Sequence, residues 1–322
     1  MTPHADLLAR ELAGIETFLR QETDRLHPLV RPVAAHVLGA GGKRFRPMLC
    51  VLMARLLGHQ GENVYPLAAS LEMLHSATLL HDDILDGANL RRGKEAAHIA
   101  FSRSEAILAG DALLALANRL VAEYGLPRLV VVLSEAVLRT AVGEIQEIAA
   151  AREHDLDDAG YMEIITGKTA YLIQASSSSG AILADASAAA EARAESFGLN
   201  LGIAFQLVDD ALDYTSPSEI SGKPAGSDLR EGKLTLPLLL LLESLPQSER
   251  DALRLRIKGN ALSEAEIEGL VSRIRDEGFA EATRQRAADY VDKAREALDG
   301  LPKGWAADVL AQSLHYVLAR KK

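Results

Sequence analysis

A single cysteine, Cys50, stands in 322 residues, and aromatic side chains make up only 4% of them. One thiol excludes an internal disulfide and any cysteine-built metal cluster, and it fits a reducing compartment. As a small apolar side chain, Cys50 is expected to be buried. Runs of β-branched residues are short and alternating strand patterns are scarce, so summed propensity favours helix nearly throughout. Positive charge is not in excess: the formal net charge is -10. So acidic a chain repels phosphate except where cations are focused locally, which argues against a nucleic-acid partner. No apolar stretch reaches the roughly 20 residues that a spanning helix needs. The most apolar, "LTLPLLLLLESLP" from Leu234 to Pro246, carries two prolines and Glu243. The opening "MTPHADLLARELAGIETFLRQE" is amphipathic and interrupted by charges, unlike a secretory leader. The expectation is a cytoplasmic protein with no transmembrane segment.

What is present is apolar material at helical spacing. Apolar residues make up 48% of the chain and charged ones 25%, ample for a sizeable core. Three- and four-residue spacing runs from Leu7 to Phe18, Met48 to Leu57, Leu67 to Leu85, Ala106 to Val121, Leu129 to Ile148, Tyr161 to Leu183, Ala188 to Leu212 and Leu234 to Leu245. No composition shift marks a boundary, so residues 1–322 are expected to form a single all-α domain of many long helices. Turn residues gather at "LGAGGKRFRP", "DGANLRRGKEAAH" and "YTSPSEISGKPAGSDLREGK". All three stretches carry glycine and basic residues. The run "SSSSG" (Ser176 to Gly180) lies inside a helical pattern and predicts close helix packing rather than a linker.

One internal echo stands out. "ATLLHDDILD" from Ala77 and "AFQLVDDALD" from Ala204 align at a constant offset of 127 and match at all three aspartates. Each copy places D-D-x-x-D near the end of a long apolar helix, where a negative charge is mildly unfavourable against the dipole. The i, i+4 spacing puts Asp82 with Asp86, and Asp209 with Asp213, on one helix face. If the two clusters face each other, each like-charge pair ~4 Å apart costs about 4 kcal/mol at an effective dielectric near 20. Such a site calls for cations. All-oxygen hard ligands favour Mg²⁺, which completes its shell with water and phosphate oxygens. Arg91, Arg92, Lys94, Lys223 and Lys233 then fit as clamps on a polyphosphate ligand.

These residues resemble the trans-type isoprenyl diphosphate synthases, or polyprenyl synthetases. The resemblance spans nearly the whole chain and rests on "GGKRFRP", "LEMLHSATLLHDDILD", "LRRGK", "GDALLALA", "GEIQEI", "GKTAYL", "FQLVDDALD" and "GKPAGSDLREGKLTLPLL", in that order. It implies one helical bundle of antiparallel helices around a central cavity, working as a homodimer. It also implies a reaction: Mg²⁺-assisted ionisation of an allylic prenyl diphosphate, condensation with isopentenyl diphosphate, and loss of a proton to the departing diphosphate. By this resemblance Asp82, Asp86, Asp209, Asp210 and Asp213 hold the metal. Lys43, Arg46, His75 and Arg92 bind isopentenyl diphosphate. Arg91, Lys168, Thr169, Gln206, Lys223 and Lys233 face the allylic diphosphate or the forming cation, while Asp83 matches the motif without being a usual ligand.

By family logic, product length is set by side chains upstream of Asp82 and after the Gly-Asp pair: Leu74, Ala77, Thr78 and Ala112. None is an aromatic plug, which predicts a long-chain all-trans product, the alternative being a geranylgeranyl or farnesyl diphosphate synthase. Glu95, His98 and Ala112 depart from the family pattern. His81 is read as structural, and the closing "ARKK" (Ala319 to Lys322) as a solvated terminus. Two rivals differ in a readable way: a terpene cyclase has no use for Lys43, Arg46 and Arg92, and a non-catalytic synthase subunit has no need of two complete aspartate motifs.

Overall fold

The computed structural model describes residues 4–153, 155–216 and 224–320. Among them helix is nearly the only regular structure, as the missing strand pattern predicts. No helix among the described residues is long and apolar enough to cross a membrane. The backbone divides into two compact units. One comprises Met1–Val137, Ala175–Glu195 and Leu301–Leu310; the other comprises Leu138–Gln174, Ser196–Gly300 and Ala311–Lys322.

The first unit is built on α1 (Ala5–Arg25), α2 (Arg31–Leu38), α3 (Phe45–Leu56), α4 (Val64–Leu85), α5 (Ala97–Ala100) and α6 (Arg103–Ala122). Helix α4 is its axis. The helix buries residues on most of its circumference, including Leu67, Leu71, Met73, Leu74 and Leu80, so its pattern is that of a core helix rather than an amphipathic one. Helix α6 runs antiparallel to it: Tyr124, just past the end of α6, meets the backbone N–H of Leu67 through its hydroxyl, while His81 lies against Ile107 at the other end. Ser102 starts α6 as its N-cap, accepting from the N–H of Glu105. Cys50 is fully buried in α3, and burial pushes its thiol pKa upward. Gly180 has no room for a side chain against the Cys50 carbonyl, and the four serines before it are buried, in keeping with the close packing expected of this run.

The second glycine-rich stretch holds more structure than a loop. Strands β1 (Leu90–Arg91) and β2 (Lys94–Glu95) form an antiparallel hairpin, followed by α5. Arg92 and Gly93 both have positive φ, 52° and 75°, as the tight primed hairpin turn requires. Glu95 and His98, which depart from the family pattern, lie in this segment: the Glu95 carbonyl is 2.8 Å from His36 Nε2, and His98 is buried.

The second unit contains residues 138–153 of α7 (Pro127–Glu153), α8 (Asp158–Ile165), residues 171–174 of α9 (Tyr171–Leu183), residues 196–215 of α10 (Ala188–Thr215) and a series of later helices. The expected single helical run from Tyr161 to Leu183 is interrupted here. Thr166–Ala170 is a π-helical turn in which the N–H of Tyr171 bonds the Thr166 carbonyl. One extra residue in a turn re-aims the side chains that follow. Gly143 of α7 and Gly202 of α10 let their backbones press against Lys168 and Ala170, so the turn is clamped from both sides.

Candidate active site

In the first unit the site begins at the end of α4. Asp86 is the exposed C-cap residue, its N–H bonded to the Asp82 carbonyl at 2.8 Å, and Asp82 is half-buried one turn earlier. The middle aspartate behaves differently. A residue one position along a helix is turned by about 100°, and Asp83 is only 3% exposed. There it accepts from Arg91 of β1, through Nε at 2.7 Å and through a second N–H. Asp83 thus anchors the hairpin that carries the two arginines.

The "GGKRFRP" segment is fixed by a residue that the sequence reading passed over. Arg44 has φ 46°, in the left-handed region, and is 4% exposed. It donates to Glu16 Oε1 of α1 (2.6 Å), to Glu72 Oε1 of α4 (2.7 Å) and to the Leu38 carbonyl (2.6 Å). This anchoring leaves Lys43 exposed and Arg46 half-buried on either side. Arg92 reaches across to the Gly41 carbonyl, so the hairpin and the glycine loop are joined. His75 lies on α4 in the same neighbourhood. Burial pushes its pKa well below the ordinary value, and the charges of Arg46, Arg92, Arg91 and Arg44 push it further the same way. A neutral imidazole within reach of four guanidinium groups marks an electropositive patch suited to an anion.

The second unit holds the other motif at the end of α10. Asp209 is paired with Arg320 at 2.6 Å, and that guanidinium lies over the Phe205 ring, 4.4 Å from its centre. Arg320 is therefore packed, contrary to the expectation of a solvated terminus; the lysines after it lie outside the described residues. Asp210 is 4% exposed and accepts from Tyr161 Oη (2.5 Å) and Gln206 Nε2 (2.8 Å). Asp213 accepts from Ser227 Oγ at 2.5 Å and from the backbone N–H groups of Ser227 and Asp228. It thereby caps the short turn Ser227–Arg230.

A cavity of about 140 Å³ in this unit is lined by Tyr161, Lys168, Thr169, Gln206, Asp210 and Asp228, with Lys233 also at its wall. Thr169 Oγ1 donates to Gln206 Oε1 at 2.9 Å. Lys168 Nζ pairs with Glu144 (2.8 Å) and Glu147 (2.5 Å), which explains the "GEIQEI" motif. Burial works against the charged ammonium, but the two carboxylates outweigh it and raise its pKa. Asp228 is pushed up to about 7 by burial and by the charge of Asp213, with Lys233 opposing. Burial, with Asp228 and Asp209, also raises the pKa of Asp210 well above the carboxylate range, against the bonds from Tyr161 and Gln206. Lys233 Nζ meets Glu231 at 2.9 Å. Lys223 lies outside the described residues.

Among the length-setting candidates, Leu74 and Ala77 are buried in α4 and Thr78 donates to the His75 carbonyl. Ala112 of α6 lines a groove with Ala115, Leu116 and residues at the end of α1. His81 has the structural role expected, with Nε2 3.2 Å from the Ile107 carbonyl. The sequence reading assigned no role to Arg44, Glu72, Glu144, Glu147, Tyr161 or Asp228. Apart from Tyr161, which lies outside the quoted motifs, their signal was present only as charge inside those motifs, while their partners lie 21 or more residues away or on other elements.

The donor set suits a hard divalent cation, since it consists of carboxylate oxygens. Among the described residues no three histidine, cysteine or acidic side chains already converge as a metal cage.

The polyprenyl synthetase family model matches residues 27–274. Octaprenyl diphosphate synthase of Escherichia coli (strain K12) is 35% identical over 320 residues, covering 98% of this chain and 98% of that protein. A polyprenyl synthase from Caulobacter crescentus CB15, solved in complex with calcium and isoprenyl diphosphate, is 39% identical with a TM-score of 0.91 and covers 98% of this chain and 97% of its own. A decaprenyl diphosphate synthase from Rhodobacter capsulatus is 35% identical with a TM-score of 0.92, covering 99% and 98%.

Proposed function

Because the chain belongs to the polyprenyl synthetase family and is a prenyltransferase, we propose that it elongates an allylic prenyl diphosphate with isopentenyl diphosphate to a long-chain all-trans polyprenyl diphosphate, using Mg²⁺. Residues 1–322 act as one catalytic domain in this reading. The observation that carries it is Arg92 reaching the Gly41 carbonyl, which joins the hairpin to the loop bearing Lys43 and Arg46 and gathers a second basic site in the unit that holds the first aspartate motif. A second diphosphate site of this kind serves condensation and has no use in a cyclase.

Lys43, Arg46 and Arg92 bind the diphosphate of isopentenyl diphosphate, with neutral His75 donating a hydrogen bond. Arg91, Lys168, Lys223 and Lys233 bind the allylic diphosphate. Asp82, Asp86 and Asp209 supply carboxylate oxygens to the divalent ion, with Asp210 and Asp213 of the same motif behind Asp209. When bound, that ion neutralises charge on the leaving diphosphate. The allylic C–O bond breaks, and its electron pair leaves with the diphosphate. The isopentenyl double bond then forms the new C–C bond, and one C–H proton passes to the departing diphosphate. Oxygens of Thr169 and Gln206 stabilise the cation as fixed dipoles. Octaprenyl and decaprenyl relatives, together with the small Ala77, support a long product.

A homodimer is supported by the part of α7 in the second unit, which exposes Leu138, Val142 and Ile145 along one face. The lone cysteine supports a cytoplasmic setting. The experiment is product analysis with radiolabelled isopentenyl diphosphate and geranyl, farnesyl or geranylgeranyl diphosphate as primer. Products beyond farnesyl are expected from the wild type and none from Asp82→Ala. Arrest at farnesyl diphosphate refutes the chain length, and a wild-type chain that is inactive alone refutes catalysis in favour of a non-catalytic subunit.

A further inference from the structure

We infer that Tyr161 is a positioning residue: through Asp210 it fixes the orientation of the Gln206 amide, so that oxygen rather than N–H faces the reacting carbons. The inference rests on the proposed prenyl transfer and concerns a residue outside every motif used to reach it.

The geometry is a directed chain of hydrogen bonds. Both partners of Asp210 donate to it, the phenol through its O–H and the amide through its NH₂. Tyr161 Oη takes Oδ2 at 2.5 Å and Gln206 Nε2 takes Oδ1 at 2.8 Å. With its NH₂ committed there, Gln206 turns Oε1 away from Asp210. Thr169 Oγ1 therefore donates to that oxygen, at 2.9 Å. Once its single proton is used, Thr169 offers only lone pairs, and Oε1 keeps one of its own. All four residues line the same cavity. A growing positive charge there meets two oxygens whose dipoles were set before the reaction began, which is the condition for electrostatic stabilisation without reorganisation.

Tyr161 is the residue that closes the chain at its inner end. Its ring is 2% exposed, and α8 carries it just ahead of the π-turn that holds Lys168 and Thr169. Without the hydroxyl, Oδ2 of Asp210 loses its donor from Tyr161 in a buried position, and the side chain gains reason to rotate. A rotated Asp210 no longer holds the NH₂ of Gln206, the amide is released to turn over, and N–H is then directed at the cation. The first motif offers a partial parallel: its middle aspartate, Asp83, is also buried and is held by a side chain from another element, Arg91.

The test is Tyr161→Phe, which removes one oxygen and keeps the ring. The expected result is a kcat lower by roughly 10- to 100-fold, the usual range for losing an outer support of a functional site, with KM for isopentenyl diphosphate within about twofold. Mn²⁺ binding followed by electron paramagnetic resonance should change by less than about threefold, since Asp209 keeps its place; these margins follow from a loss confined to one hydrogen-bonded chain. A 2-fluoro allylic substrate, which destabilises the cation, should slow the variant more than the wild type. Combining Tyr161→Phe with Gln206→Leu should add nothing to the loss from Gln206→Leu alone, because Tyr161 acts through that amide. If Tyr161→Phe does not fold, Tyr161→Leu, which also removes the hydroxyl and keeps an apolar side chain, is read in its place with the same expectations. A natively folded Tyr161→Phe whose kcat stays within about twofold of wild type overturns the inference, as does full additivity with Gln206→Leu. Both outcomes presuppose an active wild type, so they are distinct from failure of the prenyltransferase reading, which shows as a wild type without product and overturns both.

Discussion

Replacing Arg44 by methionine should cost far more stability than an ordinary arginine substitution. Its guanidinium and the Glu72 carboxylate are each only 4% exposed as side chains and meet at 2.7 Å. The truncated chain would retain Glu72 as a buried charge whose partner is gone, and breaking a buried pair from one side costs about 3–5 kcal/mol. The Leu38 carbonyl, now served at 2.6 Å, loses its donor as well. The Glu16 contact adds less, because that carboxylate is 42% exposed. Against a typical total of about 5–15 kcal/mol, the loss is a large fraction. Glu72→Gln in the same chain removes the stranded charge, so the double variant should recover about 1–3 kcal/mol of it. Urea unfolding followed by far-ultraviolet circular dichroism measures all four corners of the cycle. Activity supplies a second readout: Arg44 pins the segment bearing Lys43 and Arg46, so KM for isopentenyl diphosphate should rise more than KM for the allylic primer. A single-variant loss below about 1 kcal/mol, the scale of an exposed pair, or a double variant no better than Arg44→Met, would refute the buried-anchor reasoning.

Three further outcomes follow from the same geometry. His75 has a folded pKa well below its unfolded value of about 6.5; above that pH both states are neutral, and below it the unfolded chain alone takes the proton, so this contribution is lost as pH falls. The slope is about 1.4 kcal/mol per pH unit until the folded pKa is reached, and His75→Gln should remove it from denaturation curves taken between pH 5 and pH 7; parallel curves for the two proteins contradict the assignment. Ala77→Phe fills a buried α4 position and should shorten the product, which chromatography of the dephosphorylated alcohols reads out, an unchanged length placing the stop elsewhere. Arg320 occupies Asp209, so Arg320→Ala should lower the half-saturating Mg²⁺ concentration by up to about fivefold, the worth of a part-exposed pair near 1 kcal/mol; a higher requirement shows that the pair does not compete with the ion.

Helices α1, α3, α4, α6, α7 and α10 fall where three- and four-residue apolar spacing puts them, because burial of one face writes that period into the chain. The π-turn at Thr166–Ala170 left no such mark. One added residue shifts the phase of the apolar face, yet Ile164, Ile165, Ala170 and Leu172 still read as a continuous helical run. The hairpin at Leu90–Glu95 was hidden for a different reason: two residues per strand are too few for alternation to appear. Candidate ligands were readable from type and spacing, whereas their supports were not. Arg44 finds Glu16 and Glu72, each 28 positions away, and Lys168 finds Glu147 at a separation of 21. Such pairs depend on which helices pack together, and periodicity fixes only which face is apolar.

The repeated motif carries this point furthest. Asp82 and Asp86, like Asp209 and Asp213, share a helix face by their four-residue spacing, and the identity between copies stops at what that spacing dictates. Each middle aspartate is turned by about 100° toward the interior, and both are buried, Asp83 at 3% and Asp210 at 4% exposure. Burial of a carboxylate requires donors, but the repeat leaves their chemistry open. Asp83 receives a guanidinium from a hairpin eight residues on, and so remains a compensated charge. Asp210 receives a phenol from α8 and an amide from its own helix, neutral donors that supply no countercharge, so burial raises its pKa, and that tie it to Gln206 and Thr169. The first arrangement holds an arginine in place, while the second fixes the direction of the Gln206 and Thr169 dipoles at the cavity wall. Two copies of one sequence pattern have therefore been given different tasks by their neighbours, and the difference lies in residues, Arg91 and Tyr161, that occupy no equivalent place in the repeat.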